Sequence, residues 1–367
     1  MSVFSNLWSF LLVLGILVFF HELGHFMVAR WCGVKADVFS LGFGPEIVGR
    51  VDRHGTRWRL ALIPLGGYVK FHGDANAASA GAGLAGLSDE ERRISFPTQP
   101  VWKRALIVAA GPVANFILSI VIFAGVAFFL GQGVLAPRVE SLRPGEAAEA
   151  AGFKPGDLIR AINGKPIATW SEVQRIVQVS AEVPLTVVVE RDGQEATLSV
   201  TPKLRVLETP FGKNRVGLIG LNGSARPEDW TIQHFNPLES VEQGVLETWY
   251  IGERTVSMIA GLIAGSEPLD QVSGPIGTGY LAGKVAAFGF AALMNLAAVL
   301  SVSVGLLNLL PIPMLDGGHL LFQAIEALKG RPLSERVQEY GFRLGFVFVL
   351  ALMLFTTIND LQKLLRG

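Results

Sequence analysis

The sequence predicts a multi-pass α-helical membrane protein of about four transmembrane helices, with a membrane-associated β-sheet and one small α+β domain. Half of its 367 residues are hydrophobic and 17% are charged, too apolar a balance for an ordinary soluble chain of this size. Long apolar runs recur at residues 7–29, 105–129, 285–310 and, more briefly, 344–358. At about 1.5 Å per residue, the first three are long enough to cross a bilayer core of roughly 30 Å. Between the second and third runs the composition turns polar, with short strand-like stretches separated by glycine turns. The formal net charge is zero, so no basic field points to nucleic acid. The one cysteine, Cys32, excludes an internal disulfide framework and a cysteine-based zinc cluster.

The first run, within residues 1–30, ends in His21-Glu22-Leu23-Gly24-His25 with no intervening loop. Residues four apart share a helix face, so both imidazoles can point at one metal ion. Glu22, one position along, is placed to hold a metal-bound water without ligating the metal. This is the H-E-x-x-H pattern of zinc hydrolases. Two histidines and a carboxylate at bilayer depth are costly unless they have a function. Basic residues are absent from the first six positions and recur from Arg30 to Arg104. The positive-inside rule therefore puts the N-terminus outside and the motif toward the cytoplasmic side.

Residues 31–104 read as a cytoplasmic or membrane-associated β region. Strands are expected at 38–41, 58–63 and 64–70, with turns at Gly42-Phe43-Gly44-Pro45 and His54-Gly55. Unpaired strands beside a membrane site would offer a backbone edge. The Ala- and Gly-rich residues 75–87 read as a loop. The second transmembrane helix, within 105–133, is interrupted by Gly111-Pro112 and Asn115. Asn115 is either an interhelical hydrogen-bond residue or a group beside the metal, and it is also carried as a candidate substrate-binding residue.

Residues 134–203 read as the α+β domain. Strands are expected at 139–142 and 157–162, then a helix capped by Ser171, then a hairpin across Asp192-Gly193. The stretch Gly152-Phe153-Lys154-Pro155-Gly156-Asp157-Leu158-Ile159, followed by Ile162-Asn163-Gly164, resembles a PDZ domain of bacterial envelope proteases. Such domains bind an extended peptide beside a strand. Residues 204–284 form an amphipathic interfacial region, with a helix over 237–265 and a turn at 273–277. The third span lies within 285–320 and runs into Asn308-Leu309-Leu310-Pro311-Ile312-Pro313-Met314-Leu315-Asp316-Gly317-Gly318-His319. Residues 321–367 hold a cytoplasmic loop and the fourth span.

Catalytic zinc takes three protein ligands and leaves a position open for water. Spacing does not choose the third ligand from the remaining histidines and acids. Depth favours Asp316, which follows an apolar run and two helix-breaking prolines, with His319 next by proximity.

The His21–His25 motif, the G-F-G-P and I-P-L-G-G-Y-V-K segments, A-G-P-V-A-N in the second span and the stretch ending L-D-G-G-H together resemble the site-2 protease family. The likeness runs nearly end to end and is greatest to the bacterial regulator-of-sigma-E protease type. The resemblance implies an intramembrane zinc metalloprotease. It also implies His21, His25 and Asp316 as Zn2+ ligands, Glu22 as base, a membrane-reentrant β-sheet, and Asn308 as a residue that holds substrate. The best-known members of that type carry two tandem PDZ domains, whereas this chain has room for one.

The implied substrate is a single-span membrane protein, such as a trimmed anti-sigma factor or a signal-peptide remnant. It would be cut in or near its span in regulated intramembrane proteolysis, within the bacterial inner membrane. The PDZ domain would then be periplasmic, with a peptide in its groove as a further partner. The alternatives are a membrane zinc transporter and a non-catalytic scaffold for membrane peptides. Neither needs a glutamate directly after the first histidine.

Overall fold

A computed structural model describes residues 3–74, 88–209, 212–224, 226–265 and 274–366. The loop expected at 75–87 lies outside these residues. The chain divides into two compact units: Met1–Val126 with Pro237–Leu262 and Pro268–Gly367, and Ala127–Asn236 with Ile263–Glu267.

The first unit opens with helix α1 (Val3–Trp31), followed by strands β1 (Ala36–Val51) and β2 (Arg57–Phe71), helix α2 (Asp89–Ile94) and helix α3 (Val101–Phe129). The β region holds two long bent strands where three short ones are expected. Gly42 and Gly44 have φ of 86° and 85°, a left-handed conformation that glycine adopts without penalty. They bend β1 where a turn is expected, and pairing resumes beyond them. Residues 36–41 of β1 consequently pair with residues 67–71 of β2 on one side and 57–60 on the other, while 46–51 pair back onto 57–61. Likewise β2 continues through Gly66, at φ 125°, so Tyr68 to Phe71 belong to the same strand as Trp58. Phe39 is 1% exposed and stacks on Trp58 at 4.2 Å between centroids. Phe26 of α1, Phe96 and Ile107 of α3 close the cluster that holds this sheet to both helices.

The second unit contains β3 (Gln132–Leu135), β4 (Val139–Leu142), α4 (Ala147–Ala150), β5 (Leu158–Ile162), β6 (Lys165–Pro166), α5 (Trp170–Val179), β7 (Leu185–Arg191), β8 (Gln194–Val200), β9 (Lys203–Thr209), β10 (Gly212–Leu218), β11 (Leu221–Gly223) and β12 (Trp230–Gln233). The central sheet has order β6-β5-β7-β8, and the remaining strands form the pairs β4–β11, β3–β12 and β9–β10. This unit therefore extends beyond residue 203, because β11 and β12 return to pair with β4 and β3. The cap of α5 is Thr169, whose hydroxyl accepts from Glu172 N at 3.3 Å. The helix thus starts before Ser171, the expected cap. Asp157 has no exposed surface and accepts from Arg191 Nε and Nη2 at 2.7 and 2.8 Å.

Asp229 is also buried and accepts from Arg138 Nε at 2.8 Å. Its burial opposes ionisation, but the Ser224 hydroxyl and the Arg138 guanidinium outweigh this and hold its carboxyl below the usual carboxylate range. A depressed carboxylate stabilises the fold above its unfolded pKa, and that stability is lost as pH falls through the folded value. Intrinsic-rate-corrected hydrogen exchange of the amides around Ala136 and Asp229 should therefore accelerate on acidification below about pH 4. In Asp229→Asn that added pH dependence should disappear.

Among the described residues, five further helices follow in the first unit: α6 (Pro237–Ala264), α7 (Pro275–Ala286), α8 (Phe290–Leu309), α9 (Asp316–Lys329) and α10 (Glu335–Arg366). The third apolar run therefore starts at Phe290, with Pro275–Ala286 as a helix of its own. Gly274 to Gly277, expected as a turn, open α7, where Asp360 of α10 accepts from the backbone N of Gly274 and Gly277 at 3.1 and 2.7 Å. Val13 and Leu17 of α1, Leu118 of α3, and Leu293 and Ala297 of α8 pack together in a shared core. Among the described residues, four helical stretches are long and apolar enough to cross a membrane: Trp8–Trp31, Val101–Phe129, Phe290–Leu309 and Glu335–Lys363. The last is longer than the 344–358 run, because its charged residues lie at its ends.

Candidate metal centre

On α1 the four-residue spacing sets the ring centroids of His21 and His25 4.8 Å apart. After α8 the chain passes through Pro311 and Pro313, then Met314 at φ 87°, and starts α9 at Asp316. A left-handed methionine is uncommon, and here it accompanies the reversal that returns Asp316 toward α1. Gly317 and Gly318 allow that reversal, since a Cβ on them would sit 2.2 and 2.4 Å from the carbonyl oxygens of Leu310 and Ile312.

The Nε2 atoms of His21 and His25 lie 3.2 Å apart, and Asp316 Oδ2 lies 3.2 Å from the first and 3.5 Å from the second. Four ligands held tetrahedrally at about 2.0–2.2 Å from zinc are separated by roughly 3.4 Å, so this triangle has the size of one face of such a site. Asp316 Oδ2 is buried without a hydrogen-bond partner, an arrangement that is costly unless a cation or proton compensates it. The donor set therefore fits zinc. His319 lines the same cavity but stands outside the triangle, its ring centroid 5.1 Å from that of Phe342 on α10.

The rings are held from behind by α3. His25 Nδ1 donates to the Ile107 carbonyl at 2.8 Å, which leaves its Nε2 lone pair facing the triangle. Pro112 supplies no N–H to the Val108 carbonyl, so the helix ladder is interrupted one residue beyond Ile107. Asn115 is fully buried, and its amide contacts His21 Nδ1 at 3.2 Å. Its Oδ1 is otherwise buried without a partner. Turning the amide over would let Oδ1 accept from His21 Nδ1–H and satisfy both groups. The residue thus bridges two helices and touches a metal-facing histidine, while Asn308 lines the open cavity. Replacing Asn115 by Leu should weaken zinc binding by about 10- to 100-fold, the usual cost of losing a group that orients a ligand. Competition with a chromophoric chelator would measure it.

The cavity in front of the triangle measures about 330 Å³ and is lined by Glu22, Tyr68, Val69, Phe71 and Asn308 among others. Glu22 faces it from α1, and the Val69 backbone N–H reaches its carboxylate. Among the described residues, Gly67 to Phe71 pair only with residues 36–41. That edge of β2 therefore borders the cavity with no strand partner among the described residues.

Residues 9–352 match the profile described as Peptidase family M50. The chain belongs to that family. It is 46% identical over 359 residues to a Rhizobium meliloti protein provisionally named a zinc metalloprotease, covering 97% of this chain and 96% of that one. It is 39% identical to the metalloprotease MmpA of Caulobacter vibrioides, over 97% of this chain and 95% of the relative. Zinc metalloprotease RasP of Geobacillus kaustophilus shares 32% identity, over 98% of each chain. This member of the M50, or site-2 protease, family is a zinc metallopeptidase of the membrane. The glycines at 67, 111, 317 and 318 carry no chemistry that sequence reasoning would flag. Their only signal is their place beside the motif residues.

Proposed function

We propose that the chain is an intramembrane protease that cuts single-span membrane proteins in or near their transmembrane segment. The observation that supports this is a combination at one place. Two donors of a zinc-sized triangle, His21 and His25, sit with Glu22 on a membrane-length helix, Asp316 at the start of α9 supplies the third, and a strand edge with no strand partner among the described residues lines the same cavity. His21, His25 and Asp316 hold the zinc, which when bound polarises the scissile carbonyl and acidifies the attacking water. Glu22 takes the proton from that water and returns it to the leaving amine nitrogen.

A helical substrate hides its peptide bonds in its own hydrogen bonds, so it must unwind before attack. In lipid each freed backbone group costs several kcal/mol unless it pairs again. The edge at Gly67 to Phe71 provides that pairing by strand addition, and Asn308 holds the unwound segment. The substrates are proteins already trimmed by another protease, processed in regulated intramembrane proteolysis at the bacterial inner membrane. The site faces the cytoplasm, as the basic residues from Arg30 to Arg104 favour. Residues 137–202 act as an outer PDZ domain that excludes untrimmed substrates.

The test is incubation of the purified full chain with a tagged single-span membrane protein in detergent. Zinc-dependent cleavage within or near the span, stopped by a chelator, is expected. Zinc movement across a vesicle without cleavage would favour the transporter reading instead.

A further inference from the structure

A second cleft, of about 770 Å³, opens where α1 ends and α3 begins. Cys32, Gly33, Arg92, Arg93, Gln99 and Lys103 line it, none of which borders the zinc cavity. Among the described lining residues there are three cations and no carboxylate. Lys103 Nζ donates to the Cys32 carbonyl at 3.1 Å and lies 5.8 Å from the Trp102 ring centroid. These contacts aim the ammonium, and among the described residues no carboxylate pairs with it. Gln99, itself buried, donates to the Arg93 carbonyl at 2.8 Å. That bond pins the end of α2 to the start of α3, and so sets Arg93 beside Lys103. The first turn of α3 adds its partial positive charge to the same wall.

The flanks of the cleft are apolar. Trp31 and Trp102 are 77% and 60% exposed, and Met27 and Leu106, one turn further along each helix, are exposed as well. Residues four apart share a helix face. On α3 the exposed face continues through Val113, Ile117 and Val121. Tryptophan favours the boundary between headgroups and acyl chains. A cationic cleft therefore stands at the head of a lipid-facing stripe.

We propose that this cleft seats the phosphate of an anionic phospholipid, with its acyl chains along the Trp31–Met27 and Trp102–Leu106 faces. The apolar stripe selects a lipid over a free phosphate. The proposal rests on α1 and α3 being membrane spans and is independent of the zinc chemistry. A bound lipid braces α1 against α3, the two helices joined by the His25–Ile107 hydrogen bond.

The experiment is native mass spectrometry of the full chain in detergent, titrated with phosphatidylglycerol, phosphatidylcholine or inorganic phosphate, with zinc content measured on the same samples. Phosphatidylglycerol should bind preferentially and resist displacement by millimolar phosphate. Each cation removed should weaken it about fivefold, so Arg93→Gln with Lys103→Gln should weaken it about 30-fold. The same neutralisation at Lys165 and Arg175 should leave it unchanged. The exchange pair Arg93→Lys with Lys103→Arg should retain binding, and the single variant Arg93→Gln should show the fivefold loss if the double variant does not fold. Equal binding of phosphatidylcholine, or undiminished binding by Arg93→Gln and by the folded double variant, would overturn the proposal. Full displacement by inorganic phosphate would overturn it too, showing a free-phosphate site. Lost lipid binding with full zinc content separates this site from the catalytic one.

Discussion

Gly111→Ala is expected to abolish zinc binding and, with it, cleavage. A Cβ on Gly111 would lie 2.2 Å from His25 Nε2 and 2.9 Å from His21 Cε1. Neither ring has an easy retreat. His25 is tied through Nδ1 to Ile107 on the same helix, and His21 is backed by Asn115. Separating the helices is no easier, since Gly24 on α1 already meets α3 closely: a Cβ there would fall 2.3 Å from the Ala110 carbonyl oxygen. Packed interiors accommodate extra methyl groups poorly. A displaced Nε2 loses its place in the triangle, and zinc affinity should fall by more than about 100-fold, beyond the usual cost of losing an orienting group. Elemental analysis of the purified variant measures this directly. Gly125→Ala is the control, because nothing lies within 4 Å of the added Cβ on the same helix. Stoichiometric zinc in Gly111→Ala would show that α1 and α3 do not meet as described.

Glu22→Gln should reduce cleavage by about 10²- to 10⁴-fold while zinc remains bound, the range expected when a general base is removed. Glutamine preserves the shape of the side chain but cannot accept the proton from water. Glu22 is absent from the donor triangle, so the metal should not notice the change. Asp316→Asn offers the contrast: its loss of charge should cost zinc as well as cleavage. Comparing zinc content with turnover in the two variants therefore separates proton transfer from metal binding. Wild-type turnover by Glu22→Gln would assign the base elsewhere.

What the sequence by itself determined is what depends on short-range spacing and on apolar length. Two histidines four apart on an apolar run share a face whatever surrounds them, because the helix repeat dictates it. Runs near 20 residues are legible for the same reason. Asp316 was reachable by depth, since two prolines must end a helix before it. The edges of the elements were less legible. β1 reads as broken at Gly42 and Gly44, because a glycine that bends a paired strand looks like one that ends it. Residues 275–286 read as a turn, the end of an interfacial region and the start of a span, because the carboxylate that meets their first turn comes from Asp360, more than 80 residues away.

Only the tertiary structure decided which groups the histidines meet from behind. Asn115 and Ile107 approach them from another helix, at separations of 94 and 82 residues, where no local pattern reaches. It also sets Asp316, and not His319 three residues on, in the triangle with the two histidines, because the two positions differ by the turn of α9. The close glycines at 24, 67, 111, 317 and 318 belong to the same class. Their value is the space they leave for a neighbouring element, and that space exists only once the chain has folded.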